Sequence, residues 1–258
     1  MATVFLYIHF RRLVFIFVTE RDLIMSDCIL NDFFARTRLD VESDDDLARV
    51  LQILSRYGSL TVKTLFFAYD FDPRESVSVH MEKIRHFKER LHIGKKAKLK
   101  TEVVSVIPLT RGISMISGIE RLSLSRGNTQ YLFISIPPAS DPDTLVSEIR
   151  QIIYIKKFIP VITGIEKAAL SLSDGAASSL YKIPGAIYQI DLCSLSSKNT
   201  RELVKNLITA GKTVIFGSGD GFDLCPYANF DYYTKLLSRA IGTKSLGYFT
   251  ILHNRVFR

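Results

Sequence analysis

The 258-residue chain is short of the side chains from which redox and metal centres are usually made, with three cysteines and five histidines. Cys28, Cys193 and Cys225 are odd in number, far apart and without Cys-x-x-Cys spacing, which excludes a disulfide framework and implies a reduced, cytoplasmic protein. No histidine or basic residue stands beside any of them to lower its pKa, so each thiol reads as a small core or loop residue. Of the histidines, His9 and His253 stand near the two ends. His80, His86 and His92 are six apart on one expected helix, where each step turns about 240°. They therefore point to different faces and read as surface residues.

Long hydrophobic runs are also missing. Met1 to Ile24 is apolar and aromatic, but Arg11-Arg12 divides it into two blocks, each too short to span a bilayer. A secretory signal would carry its charges ahead of one apolar block, so a signal peptide is a poor fit as well. The segment is expected to be an added element or upstream artefact, an extra strand or a surface anchor, with the domain proper beginning at Met25. No Gly/Ser/Pro-rich linker follows, and residues 25–258 read as a single domain. A hydrophobic share of 47% is that of an ordinary globular chain with ample core. The net charge of +8 favours anionic partners without specifying a fold.

Extended and helical patterns alternate along the chain. Ser43 caps a helix whose apolar residues Leu47, Val50, Leu51 and Leu54 recur at helical spacing up to Gly58. Pro73 opens a second helix carrying Val77, Met81, Ile84, Phe87 and Leu91, which stops near Gly94. Extended runs are expected at 61–68, 99–106, 131–136, 158–163, 186–192 and 212–217. Helices are expected at 143–157 and 198–210, with two more after the last strand. About seven strand–helix units predict an α/β fold with a parallel sheet closed or nearly closed into a barrel, whose reactive groups sit at the C-terminal strand ends. Asp70, Glu102, Gly164, Asp191 and the loop Gly217–Gly221 are the candidates there. That glycine-rich loop has neither dinucleotide nor Walker spacing. Lys95-Lys96-Ala97-Lys98-Leu99-Lys100 is a basic turn without aromatic residues to stack on bases.

Several segments carry a more specific signal. Ile159-Pro160-Val161-Ile162-Thr163-Gly164-Ile165-Glu166-Lys167 resembles the Ile-Pro-Val-Ile-Ala-His-Pro-Glu-Arg segment of the polymerase-and-histidinol-phosphatase (PHP) superfamily. The likeness is strongest to the manganese-dependent tyrosine phosphatases of bacterial capsule and exopolysaccharide clusters. Gln130–Pro137 is similar to that family's Tyr-Leu-Leu-Ile-Glu-Leu-Pro strand, and Gln189–Leu195 to its Gln-Val-Asn-Ala-Gly-Ser-Leu strand end. Phe71-Asp72-Pro73 through Leu91 and His253-Asn254-Arg255 add to the likeness. It implies a distorted (β/α)7 barrel of PHP type.

The resemblance also implies that most metal ligands are gone. Ile29 and Asn31 stand where the opening Asp-x-His-x-His strand has imidazoles, and Gly164 stands for the histidine of the quoted segment. Asp70, Glu102 and Asp220 are the carboxylates left to match the remaining ligands, Asp220 within the Gly217–Gly221 loop that matches Ser-Asp-Ala-His. Lys167 replaces an arginine and offers a point charge to a phosphate. A multinuclear manganese site needs imidazoles and bridging carboxylates converging on each ion. No cofactor is expected, with a residual Mn or Mg ion on the three carboxylates as the exception. The leading expectation is a non-catalytic pseudophosphatase that binds a tyrosine kinase or its phosphorylated tail. The alternatives are a weak metal-dependent phosphoesterase and a basic nucleic-acid-binding protein similar to the PHP-like ribonuclease P subunit.

Overall fold

The computed structural model describes residues 3–9, 12–18, 30–35, 43–58, 60, 62–93, 99–137, 142–168, 179, 181, 183–219, 221–222 and 226–242. Strands β1 (Thr3–His9) and β2 (Arg12–Val18) pair antiparallel as a sheet of their own, with His9 opposite Arg12. The two apolar blocks separated by the arginines are thus the two arms of a hairpin.

The main sheet contains β3 (Leu30–Ala35), β4 (Val62–Asp70), β5 (Lys100–Pro108), β7 (Thr129–Ser135), β8 (Ile159–Thr163), β9 (Ile187–Asp191) and β10 (Thr213–Gly217), all parallel and ordered β10-β9-β8-β7-β5-β4-β3. A short antiparallel strand, β6 (Leu124–Arg126), hangs on β7. The two edges of the sheet meet at one parallel bridge, Ala35 to Gly219. Connections between parallel neighbours run through α1 (Asp44–Gly58), α2 (Val77–Ile93), α3 (Pro142–Tyr154), the single turn α4 (Ile165–Ala168) and α5 (Lys198–Thr209), with α6 (Phe230–Ile241) after the last strand. The arrangement is a curled parallel sheet with helices, as the alternation of patterns predicts. The β5–β7 connection is made by two short 3-10 turns and β6, without an α-helix. Of the two helices expected after β10, one is α6; the residues beyond 242 lie outside the described set.

Strand parity sorts the core into two layers. Phe66, Val104, Val106, Phe133, Val161, Ile187 and Ile215 pack together without any helix residue, so they fill the concave side of the curl. Their neighbours one position along, among them Leu65, Ile107, Ile134, Ile162 and Val214, pack against Val50, Leu54, Ile149 and Leu203 of the surrounding helices. The same parity places Asp70, Thr163, Gln189, Asp191 and Gly217 on the inward side at the C-terminal ends of their strands. Among the described residues no helix is long and apolar enough to cross a membrane.

Candidate functional site

Three of the inward strand ends converge on one buried polar cluster. Asp191, the last residue of β9, accepts a hydrogen bond at Oδ1 from Gln189 Nε2 (2.8 Å), while Lys167 Nζ lies 3.3 Å from Oδ2. Its backbone N–H donates to Glu166 Oε1 at 3.2 Å. Glu166 belongs to α4, the single turn that follows β8, and is only 4% exposed. Burial, helped by the neighbouring Asp191 charge, pushes the Glu166 carboxyl up to about 8. Near neutral pH the Glu166 carboxyl therefore keeps its proton. Two acceptor atoms in the cluster, Glu166 Oε2 and Gln189 Oε1, are buried without a hydrogen-bond partner among the described residues.

Backbone geometry below the cluster is set by two glycines. Gly164, at the β8–α4 junction, has φ +68, a left-handed conformation that a side-chain-bearing residue adopts at a cost, and a Cβ there would meet nothing within 4 Å. Gly219, just past β10, has φ +55, and a Cβ on it would fall well inside 3.0 Å of three atoms of the Asp191 carboxylate. The carboxylate occupies the room that a side chain at 219 would need. A Cβ on Gly221 would likewise lie 2.8 Å from Cys193 Sγ. Cys193 follows β9 and accepts from Tyr233 Oη at 3.7 Å.

Two of the carboxylates expected to form a residual metal site, Asp70 and Glu102, are not brought together. Asp70 ends β4 and is exposed, whereas Glu102 lies near the start of β5. The register sets Asp70 beside Val106 and Glu102 beside Phe66, so the two are four residues apart along neighbouring strands, about 13 Å. Glu102 is instead bound to Lys100 Nζ at 2.7 Å and to Arg126 Nη2, and the Arg126 guanidinium also stands 5.9 Å from the Phe66 ring centroid. Burial raises the Glu102 pKa, but the two cations outweigh it and hold the group below the usual range. Ile29, Asp220, Cys28, Cys225 and His253 lie outside the described residues, and of Asn31 the backbone alone is described, on β3. Among the described residues no three or more His, Cys, Asp or Glu side chains are grouped to hold a metal ion. The manganese centre implied by the resembling family has no matching donor set in them.

One histidine departs from its expected place. His80 is fully buried, its ring edge-on to Tyr69 and Phe71 with centroids 5.6 and 5.1 Å away. Its Nε2 meets Ser105 Oγ at 3.1 Å and its Nδ1 meets Glu75 Oε1 at 3.4 Å. Val77 and Ile84 flank it at helical spacing, so it shares the apolar stripe of α2. His86 and His92 are exposed as expected. Serine, histidine and glutamate in series have the reach of a nucleophilic relay. Ser105, however, lies inside β5 opposite Tyr69 of β4, where the strand ladder occupies the surrounding backbone and leaves no free pair of amides for an oxyanion. The trio reads as a polar lock between α2 and the sheet.

Burial lowers the His80 pKa below 6.5 more than Glu75 and Asp70 raise it, with the Lys83 charge adding to the depression. The unfolded chain then takes up a proton at higher pH than the folded one, so stability present above pH 6.5 is lost as pH falls from that value through the lower folded one. His80→Gln is expected to lose about 1–3 kcal/mol at pH 7.5 and to lack this step. Denaturant melts from pH 7.5 to 5.5 test this, and parallel curves for parent and variant would refute it.

No protein-family model matches the chain, and no curated protein sequence does. Among solved structures, the fold is similar to a chain from the crystal structures of YwqE from Bacillus subtilis and CpsB from Streptococcus pneumoniae, described as unique metal-dependent tyrosine phosphatases. That match has a TM-score of 0.65 at 16% identity and covers 88% of this chain and 94% of that one. A weaker match, to PhdJ bound to a substrate intermediate, has a TM-score of 0.45 at 14% identity and covers 84% of this chain and 65% of that one. The chain has the fold of the phosphatase family whose motifs its sequence resembles.

Proposed function

We propose that the chain is a pseudophosphatase, a distorted (β/α)7 barrel of PHP type that binds a partner without hydrolysing it. One observation carries this reading: where ligand side chains would stand, the neighbouring strand end has filled the space. With Ser218 on the serine of Ser-Asp-Ala-His, the aspartate falls on Gly219 and the histidine on Gly221. The room at 219 is taken by the Asp191 carboxylate and the room beside 221 by Cys193. In the resembling strand end those two positions are asparagine and glycine, so the exchanges are reciprocal. Lys167, a resident cation, then supplies positive charge to Asp191.

The partner suggested by the resemblance is a cytoplasmic tyrosine kinase, or its phosphorylated tail, of a capsule or exopolysaccharide cluster. The exposed Lys167, whose side chain is 53% accessible, is the group that would face a phosphate. A weak metal-dependent phosphoesterase acting through Asp70, Glu102 and Asp220 is disfavoured by the separation of the first two.

Metal analysis by mass spectrometry on protein purified with manganese, paired with p-nitrophenyl phosphate turnover at alkaline pH, tests the reading. Substoichiometric metal and background turnover are expected. Stoichiometric manganese with turnover abolished by Asp70→Asn would overturn it.

A further inference from the structure

At the other end of the strands, far from the Asp191 cluster along the sheet, a cavity of about 530 Å³ opens between α2, the first half of β5 and β6. Its volume lies within the range of about 300–1,000 Å³ typical of small-ligand sites. One wall is apolar, built by Met81 and Ile84 of α2 with Leu122 and Leu124. The polar side is cationic: Lys88, Arg121 and Arg126 line it together with His92, against the single carboxylate of Glu102. That carboxylate is already matched twice, by Lys100 at 2.7 Å and by Arg126. A further negative charge entering the cavity would meet a surplus of cations.

The inner wall adds a fixed polar point. Ser105 lines the cavity although it is 4% exposed, and its hydroxyl is held by the fully buried His80, itself anchored on Glu75. Arg121 Nη1 donates to Ser78 Oγ at 3.1 Å, which restrains its guanidinium toward α2. An arginine so held offers a planar fork suited to phosphate oxygens. We infer that this cavity binds a small aryl or nucleoside phosphate, its phosphate on the cationic side and its ring against the apolar wall. The site is separate from the Asp191 cluster, and its occupancy is independent of the pseudophosphatase reading.

Calorimetric titration with phenyl phosphate, AMP and inorganic phosphate at low salt tests the inference on the full chain. The variant Lys88→Gln/Arg121→Gln removes two exposed side chains, and Lys198→Gln/Lys205→Gln on α5 removes the same charge elsewhere. Phenyl phosphate or AMP is expected to bind with Kd below about 1 mM, to weaken by about tenfold or more in the first variant, and to be unchanged in the second. Absence of binding at several millimolar would overturn the proposal. So would equal loss in both variants, or inorganic phosphate binding as tightly as phenyl phosphate. Displacement of the small phosphate by single-stranded RNA of far higher affinity would also overturn it, assigning the cationic face to nucleic acid instead.

Discussion

Glu166→Gln is expected to melt at least about 5 °C above the parent protein at pH 9 and to differ little from it near pH 5. The carboxyl is 4% exposed beside Asp191, and burial first, then that charge, raise it from 4.5 to about 8. A carboxyl raised on folding contributes stability that is complete below the unfolded value and is lost as pH climbs through the folded one. The parent should therefore lose stability progressively between pH 4.5 and about 8. At 1.36 kcal/mol per unit the loss is at most about 5 kcal/mol, and each kcal/mol moves the midpoint of a chain this size by roughly 2–4 °C. Glutamine keeps the oxygen that accepts from the Asp191 N–H. It never ionises, so the alkaline loss disappears. Scanning calorimetry of both proteins from pH 5 to 9 decides the matter, and parallel midpoint curves would sink the assignment of Glu166 as the buried acid.

The helices and most parallel strands were legible because their apolar periods are strong, and so was the set of rim positions that includes Asp191 and the Gly217–Gly221 loop. Glu166 was visible only as part of a motif. Nothing in Ile165-Glu166-Lys167 announces that the middle residue turns inward under Asp191, because a four-residue helix has too few positions to display a buried face. Glu102 misled for a different reason. A motif match says which residue corresponds and not where along the strand it stands, and β5 begins only two residues earlier, at Lys100. Of its two partners, Lys100 is local, but Arg126 is 24 residues away at the end of β6, a contact that local pattern cannot supply. For His80, the six-residue spacing correctly separates the three histidine faces. The informative comparison was with Val77 and Ile84, which place it on the apolar stripe, where Ser105 and Glu75 satisfy both ring nitrogens.

Gly219→Ala is expected to cost about 3 kcal/mol or more in the parent and only about 1 kcal/mol when Asp191 is first replaced by alanine. Two penalties act at this position. The left-handed backbone, φ +55, costs an alanine about 1 kcal/mol whatever surrounds it. The added Cβ also collides with the Asp191 carboxylate, and overpacking of a buried site costs typically about 1–3 kcal/mol. The carboxylate is the end of a short side chain, but it cannot swing away cheaply. Moving it breaks the 2.8 Å bond from Gln189 and the contact with Lys167, and it disturbs the seat of Glu166. Asp191→Ala removes the collision and leaves only the backbone penalty. The double variant should thus be more stable than the sum of the singles by about 2 kcal/mol or more, a coupling that urea denaturation of the four proteins measures directly. Additive costs would mean that Asp191 and position 219 do not compete for the same space, and the reciprocal filling that supports a settled, ligand-free rim would lose its physical basis.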